Sequence, residues 1–113
     1  LPDSLTSISG YAFDDCSSLT EINIPYSITT IDTCAFKNCK SLTNIVLPDG
    51  LTIIDIGAFK GCESVFSINI PNSVTMIWDE VFDGCDNLTI TVGRDSYAEK
   101  YCVDNKLNYV YYD

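Results

Sequence analysis

A period of 23 residues runs through most of this chain. The motif A-F-x-x-C-x-x-[LV]-x-x-I-x-[IL]-P occupies residues 12–25, 35–48 and 58–71, and an altered copy spans residues 81–92. A fixed period between about 20 and 50 residues is typical of a solenoid, in which residues one period apart stack as a column. Three residue types mark the period most clearly: Pro2, Pro25, Pro48 and Pro71; Phe13, Phe36, Phe59 and Phe82; Cys16, Cys39, Cys62 and Cys85.

One repeat shows how a turn of the solenoid is built. The spacing of Leu42, Ile45 and Leu47 predicts a short strand with these side chains in the core and the residues between them in solvent. Pro48 ends the strand, because proline has no amide hydrogen for a sheet. Strands stacked at about 4.8 Å would form a parallel sheet and bury together side chains that one repeat cannot bury alone.

A second extended piece follows in each repeat. Residues 51–54 predict a short strand with Leu51 and Ile54 facing inward. Residues 57–62 then predict a compact turn, either 3₁₀ or a single helical turn, that returns the chain to the next strand. The core therefore lies between two sets of short strands.

The combined pattern L-x-x-[IL]-x-[IL]-P-x-x-[LIV]-x-x-I-x-x-x-A-F-x-x-C resembles the leucine-rich repeats of the BspA-like (Treponema pallidum-type) class. The resemblance covers residues 1–93 as four repeats, with Val65 in place of leucine, Val81 in place of alanine, and a last strand that is one residue short. It implies a leucine-rich repeat solenoid, α/β by convention but mostly β. The expected form is a right-handed superhelix of 23-residue turns with a parallel β-sheet and short helical turns.

Residues 94–113 differ from the repeats and predict a C-terminal cap formed by a helix and a strand. Ser96 can cap a helix start and Glu99 can reach back to the Ser96 amide, which is the capping-box pattern. The helix is predicted from Tyr97 to about Asn105 with Ala98, Tyr101 and Cys102 on one face, followed by a strand over residues 107–112. The segment S-x-A-x-x-Y is similar to the C-terminal cap of the same family, which would close the open end of the core.

The acidic balance of the chain limits its partners. Sixteen Asp and Glu residues against six Lys and Arg residues give a formal charge of −10, which argues against nucleic acid and anionic membranes because both require a basic face. No apolar run approaches the roughly 18 residues of a membrane span. Leu1 falls in a strand-end column, so we expect a piece of a longer protein whose open first repeat can self-associate.

The six cysteines allow several interpretations. A metal ladder is disfavoured because the chain has no histidine and a single column does not converge on one ion. A disulfide ladder has acceptable spacing but lacks the crossed geometry of a disulfide, which favours buried free thiols. A serine at Cys39 would then bury a hydroxyl with no evident partner. Cys34 shares a column with Tyr11, Gly57 and Glu80, and we expect it to be the exposed thiol.

Other motifs have weaker interpretations. The acidic run at residues 79–86 lacks the spacing of an EF-hand loop and indicates a solvated loop. The sequon at residues 87–89 contains Leu88, which the repeat pattern places in the core. The columns Thr6, Thr29, Thr52, Thr75 and Thr20, Thr43, Thr89 could form an ice-binding array, but threonine is also common on exposed strands. No catalytic constellation, metal site or cofactor site is recognisable, so we do not expect an enzyme.

The resemblance implies a non-catalytic protein-binding or adhesion module of a secreted or cell-surface bacterial protein. Its partner would be a protein, either a host or an extracellular-matrix protein. A structural spacer and a targeting or inhibitory module attached to an enzyme are the alternatives. The outward columns of the strands would form the binding surface, with Phe66 as an apolar anchor. Trp78 is a second candidate anchor on a different edge. The candidate residues are Glu21, Asn23, Asn44, Val46, Phe66, Ser67, Asn69 and Trp78.

Overall fold

A computed structural model describes residues 1–112. The chain winds as a parallel β-solenoid in which each repeat contributes one short strand to each of two sides. The elements in chain order are β1 (Ser7–Ile8), β2 (Glu21–Ile22), β3 (Thr30–Ile31), β4 (Asn44–Ile45), β5 (Ile53–Ile54), β6 (Ser67–Asn69), β7 (Met76–Ile77), β8 (Thr89–Val92), α1 (Tyr97–Asp104) and β9 (Tyr109–Tyr111).

The strands on the two sides of the solenoid form separate sheets. One side is a four-stranded sheet in the order β1-β3-β5-β7, and every pair is parallel with partners one period apart, such as Ile8 with Ile31. The other side consists of a β2-β4 pair and a β6-β8-β9 sheet. No strand pairing joins β4 to β6 within residues 1–112, so the strand pairing on this side is interrupted once.

The core lies between the two sides and follows the predicted columns. Leu42, Ile45, Leu47, Leu51 and Ile54 are all buried, which confirms the predicted inward faces of both strands. The four phenylalanines form a stack whose neighbouring ring centroids are 5.2, 5.4 and 6.0 Å apart, with rings within 5° of parallel. One aromatic ring per repeat therefore fills the same volume in each turn of the solenoid.

The segment that returns the chain between strands is a series of turns, not the short helix that the sequence predicted. In residues 57–62, alternate amides donate to the carbonyl three residues earlier, and the amides between them donate to the next repeat. The inter-repeat bonds run from Gly57 to Asp79, from Phe59 to Val81 and from Gly61 to Asp83, at 3.0, 3.1 and 2.7 Å. Because every second amide bonds outside its segment, the consecutive bonds of a 3₁₀ helix cannot form.

Two columns in these turns adopt the left-handed backbone conformation in every repeat. Tyr11, Cys34, Gly57 and Glu80 have φ between 55° and 64°. Asp15, Asn38, Gly61 and Gly84 have φ between 59° and 82°. Left-handed backbone is costly for residues other than glycine, so the repeated geometry shows that the solenoid imposes this conformation at both columns.

Cys34 was expected to be exposed, and that expectation is wrong. Its side chain is only 8% exposed. A Cβ atom placed on Gly57 would lie 3.1 Å from Cys34 Sγ, so the thiol occupies the space beside the missing side chain of the next repeat. Tyr11 lies one repeat earlier in the same column, and the neighbouring Cys34 raises the pKa of its phenol. Burial of Cys34 thus depends on the absence of a side chain at Gly57.

The threonine column at the entry to the four-stranded sheet ties successive repeats together. The Oγ1 atom of Thr29 donates to the carbonyl of Thr6 at 3.3 Å, that of Thr52 to Thr29 at 3.0 Å and that of Thr75 to Thr52 at 3.5 Å. The hydroxyl protons are therefore used within the solenoid. These side chains stabilise strand stacking, a role that the sequence did not indicate.

The C-terminal cap has the predicted elements with one changed hydrogen bond. Ser96 accepts a bond from the Glu99 amide at 3.1 Å, and Ala98 and Cys102 are buried on the inner face of α1, as predicted. Glu99 Oε1 accepts from the amide of Asp95 at 2.8 Å, one residue before the Ser96 amide that a capping box predicts. β9 then pairs in parallel with β8 and extends that sheet.

Candidate protein-binding face

The outward side chains of β2, β4, β6 and the residues after them form one polar surface, which we call the strand face. Its members are Glu21, Asn23, Asn44, Val46, Ser67 and Asn69. All six are exposed, and Val46, the one apolar side chain among them, is 70% exposed. The two-residue alternation of the strands produces this surface, because the intervening residues point into the core.

Two adjoining cavities lie along the strand face. The larger, about 720 Å³, extends over the first two strands and contacts Glu21, Asn23, Asn44 and Val46. The smaller, about 350 Å³, lies where β4 and β6 are unpaired and contacts Ser67 and Asn69 together with Asn44 and Val46. Asn44 and Val46 line both cavities, so the two form one shallow groove across the repeats.

Phe66 and Trp78 lie outside this groove. Phe66 is 59% exposed and directly precedes β6, at the margin of the strand face. Trp78 is 45% exposed and directly follows β7, which belongs to the four-stranded sheet on the other side. The structure therefore brings together six of the eight candidate residues and separates Trp78 from them.

The last repeat shifts the register at the end of the strand face. Ser67 pairs with Thr89, which is one residue short of the 23-residue period. The sequence placed Thr89 in the column of Thr20, Thr43 and Phe66, and that placement is wrong. The missing residue of the last strand is the one that would have stood beside Phe66, so within residues 1–112 the last repeat places no residue in the column of this ring.

Several residues of the groove escaped the sequence interpretation. Asp3, Tyr26 and Asp49 line the larger cavity, although only the strand columns were considered as a binding surface. The 23-residue spacing of these three residues was visible in the sequence and could have identified them. Tyr112 lines the smaller cavity from the C-terminal strand, where no repeat predicts its position.

The groove is acidic along its length. Asp3, Glu21 and Asp49 contribute carboxylates, whereas none of the six Lys and Arg residues lines either cavity. The Tyr112 hydroxyl donates to the carbonyl of Ile70 at 2.9 Å, and its pKa is raised by burial and then by the charge of Asp49. A negative potential in this groove favours cationic groups of a partner.

The cysteine column is structural. All six cysteines are free, as the sequence predicted. Each thiol after the first donates to the phenylalanine carbonyl of the preceding repeat: Cys39 to Phe13 at 3.1 Å, Cys62 to Phe36 at 3.1 Å and Cys85 to Phe59 at 3.2 Å. A serine at Cys39 would thus have a partner, contrary to the expectation from sequence. Burial raises the pKa of Cys62 to about 12, so this thiol is not a reactive nucleophile.

These features match a known family. The sequence matches the BspA type leucine rich repeat region in six copies over residues 1–108, and the chain belongs to this family. The prediction from the repeat motif is thereby confirmed. No functionally curated protein matches the chain.

Three solved structures are similar to the chain. A leucine-rich repeat protein from Bacteroides ovatus is 42% identical over 81% of this chain, with a TM-score of 0.75. The leucine-rich repeat protein of Treponema pallidum is 36% identical over 80%, with a TM-score of 0.79. A leucine-rich cell surface protein from Faecalibacterium prausnitzii is 31% identical over 100%, with a TM-score of 0.84.

The chain spans 24%, 43% and 31% of the length of these three proteins, respectively. Within residues 1–112, α1 is the single helix, and it is too short to cross a membrane. The shared repeats indicate a protein-interaction module, because a solenoid presents a long row of strands to one partner.

Proposed function

We propose that this chain is a non-catalytic protein-binding or adhesion module of a secreted or cell-surface bacterial protein. The strand face takes the partner, which is a host protein or an extracellular-matrix protein. One observation carries the proposal: the outward columns of successive repeats meet at a continuous groove formed by the two cavities. The similar Faecalibacterium prausnitzii protein is a leucine rich cell surface protein, which supports the surface location.

The chemistry of the strand face suits a protein partner. Its amide and hydroxyl side chains, those of Asn23, Asn44, Ser67 and Asn69, offer donors and acceptors without a strong desolvation penalty. Val46 and Phe66 add apolar area at the centre and the margin of this polar surface. Large exposed apolar side chains among polar ones are the usual anchors of protein interfaces.

Residues 1–93 are proposed as the binding repeats and residues 94–113 as their cap. The hydroxyls of Tyr97 and Tyr101 donate to the carbonyls of Ile77 and Trp78, at 3.4 and 2.9 Å, which supports the capping role. A cap keeps the strands ordered without adding to the groove of the first two repeats. A spacer or an enzyme-attached module would use the same fold without needing the groove.

Photo-cross-linking tests whether the strand face binds. A benzophenone-bearing amino acid replaces Asn44 in the groove, and the matched control carries it at Val103, an exposed position on α1. Both proteins are irradiated on a preparation of host extracellular matrix. We expect discrete protein adducts from position 44 and none from position 103. Equal adduct patterns from both positions would place binding elsewhere or support the spacer.

Self-association through the first repeat is a further part of the proposal. Phe13, Cys16 and Leu19 are only partly buried, whereas the same columns are fully buried in the second repeat. Exposed core residues beside the edge strands β1 and β2 favour stacking of a second copy on this end. Sedimentation velocity over a range of concentrations measures it, and a strictly monomeric chain would exclude it.

A further inference from the structure

One column of the groove carries a tyrosine between two aspartates. Asp3, Tyr26 and Asp49 each follow a proline by one residue in successive repeats. A Cβ atom on Gly50 would lie 3.7 Å from the carbonyl oxygen of Tyr26, which shows that the repeats are in contact at this point. With repeats about 4.8 Å apart, the two aspartates flank the tyrosine at roughly one strand spacing on either side.

All three side chains of this column are available to a ligand. Tyr26 is 87% exposed, the highest value among the large apolar and aromatic residues, and both aspartates are exposed. Neither Asp3 nor Asp49 makes a hydrogen bond or an ion pair with any other residue among 1–112. Tyr26 likewise has no side-chain partner there. An exposed tyrosine without a structural contact fits an interface residue.

The chemistry of the column selects a cation. A lysine or arginine side chain over a tyrosine ring is attracted by the negative face of that ring, and the effect grows when water is excluded. Carboxylates on both sides add charge-assisted hydrogen bonds to the same cation. Two lysines of this chain form ion pairs outside the groove: Lys60 pairs with Glu80, and Lys100 pairs with Asp104.

The shape of the groove indicates an extended segment. From Asp3 to Asp49 the column spans two repeats, about 10 Å, which is the length of about three residues of extended chain. Asn23, Asn44 and Val46 line the same cavity beside the column. They would contact the backbone and the apolar side chains of such a segment.

We infer that the column of Asp3, Tyr26 and Asp49 recognises a lysine or arginine side chain within an extended, basic segment of the protein partner. This inference rests on the proposed function, because it names the chemistry that the groove selects. Alternate residues of an extended segment face the same way, so a segment with basic residues at every second position would present its cations to the column.

Short peptides test the inference directly. The probes are acetylated and amidated hexapeptides in which lysine alternates with serine, and matched peptides in which glutamine or glutamate replaces lysine. Amide chemical-shift changes at Tyr26 and Asn44 report binding in the groove. We expect the lysine peptide to bind, the glutamine peptide to bind at least roughly fivefold more weakly and the glutamate peptide not to bind. Raising the salt from about 50 mM to about 500 mM should weaken the lysine peptide further.

Variants separate recognition at this column from general attraction to an acidic protein. The double variant Asp3→Asn/Asp49→Asn should weaken lysine-peptide binding roughly fivefold or more, and Tyr26→Leu should also weaken it while Tyr26→Phe retains it. The matched control, Asp83→Asn/Asp86→Asn, changes the net charge equally at two exposed aspartates outside the groove. It should leave binding unchanged.

Three outcomes would overturn the inference: equal loss in both double variants, equal binding of the lysine and glutamine peptides, or binding of a neutral oligosaccharide such as maltotetraose in place of the peptides. The cross-linking experiment at position 44 keeps this separate from the proposed function. If adducts from position 44 persist in the Asp3→Asn/Asp49→Asn background, the strand face binds protein but the cation preference is refuted. If position 44 gives no adducts even with both aspartates present, the proposed function itself is refuted.

Discussion

The hydroxyl of Tyr101 donates a hydrogen bond to the carbonyl oxygen of Trp78 at 2.9 Å. Trp78 follows β7, the last strand of the four-stranded sheet, and within residues 1–112 no further strand pairs with its outer edge. Tyr97, one helical turn earlier, donates to the carbonyl of Ile77 at 3.4 Å. The helix thus supplies side-chain donors where a fifth strand would have supplied backbone amides. These donors satisfy two edge carbonyls that could otherwise pair with a strand of another chain.

Removing the Tyr101 hydroxyl should destabilise the fold. Tyr101→Phe leaves the carbonyl of Trp78 without its donor, and we expect a loss of about 1 kcal/mol in the free energy of unfolding. Urea denaturation followed by circular dichroism measures it. Tyr26→Phe removes a hydroxyl from an exposed ring and is the control with no expected change. Equal stability of Tyr101→Phe and wild type would mean that the hydrogen bond contributes nothing.

Glycine at the second left-handed column should be required. Gly84 has φ of +82°, and an added Cβ would lie 3.2 Å from Gly61 Cα, so Gly84→Ala should cost about 1–2 kcal/mol. Gly50→Ala is the matched control, because the φ of Gly50 is not in the left-handed region. An added Cβ there would lie at an ordinary 3.7 Å from its nearest neighbour, the carbonyl oxygen of Tyr26. Asp15→Gly, in the same column as Gly84, should instead stabilise by up to about 1 kcal/mol. Thermal unfolding of the three variants measures these changes in stability. Similar destabilisation by Gly84→Ala and Gly50→Ala would refute the requirement for glycine at the left-handed column.

Serine in place of Cys39 should destabilise the fold only slightly, because its hydroxyl has a hydrogen-bond partner. In Cys39→Ser the hydroxyl can donate to the carbonyl of Phe13 as the thiol does, so we expect a loss near 1 kcal/mol, at the low end of the 1–3 kcal/mol range for an unsatisfied group. Cys39→Val, which cannot donate, is the comparison.

The six cysteines should all be free thiols. Mass measurement after alkylation of the unfolded, non-reduced protein should show six alkylated thiols, and three disulfides would contradict the structure.

Alkaline pH should destabilise the protein through its thiols. Burial raises the pKa of Cys62 to about 12 and those of Cys39 and Cys85 to about 11, whereas an unfolded cysteine titrates near 8.5. Because the folded pKa is the higher one, the contribution is complete below about pH 8.5 and is lost as the pH rises toward 11–12. Unfolding midpoints between about pH 8 and pH 11 test this. The slope should be smaller in Cys62→Ala, and a slope equal to that of wild type would assign the effect to other groups.

An apolar anchor at the margin of the strand face should matter for affinity but not for folding. Once a partner is identified, Phe66→Ala should weaken binding by more than about 1 kcal/mol. Its stability should change little, because the ring is mostly exposed. Trp78→Ala tests the other sheet in the same way, by titration calorimetry. Unchanged affinity in both variants would move the site away from both residues.

The repeat, the core and the cap could be predicted from the sequence because each follows from local spacing. Residues 23 apart must stack if the chain is a solenoid, so the inward positions of Leu42, Ile45 and Leu47 were fixed once the period was recognised. The N-cap at Ser96 and the buried positions Ala98 and Cys102 were equally local. The outward columns of the candidate face followed from the same alternation.

Features that depend on contacts between neighbouring columns were decided only by the tertiary structure. Cys34 is buried because Gly57 in the next repeat leaves space for its thiol, and this effect is not encoded at position 34. Thr89 aligns with Ser67 because strand pairing, not residue type, absorbs the missing residue. Tyr112 reaches the groove through the pairing of β9 with β8, far from any repeat. Periodicity determines which residues stack, and the space between the stacked side chains exists only once the neighbouring repeats are in contact.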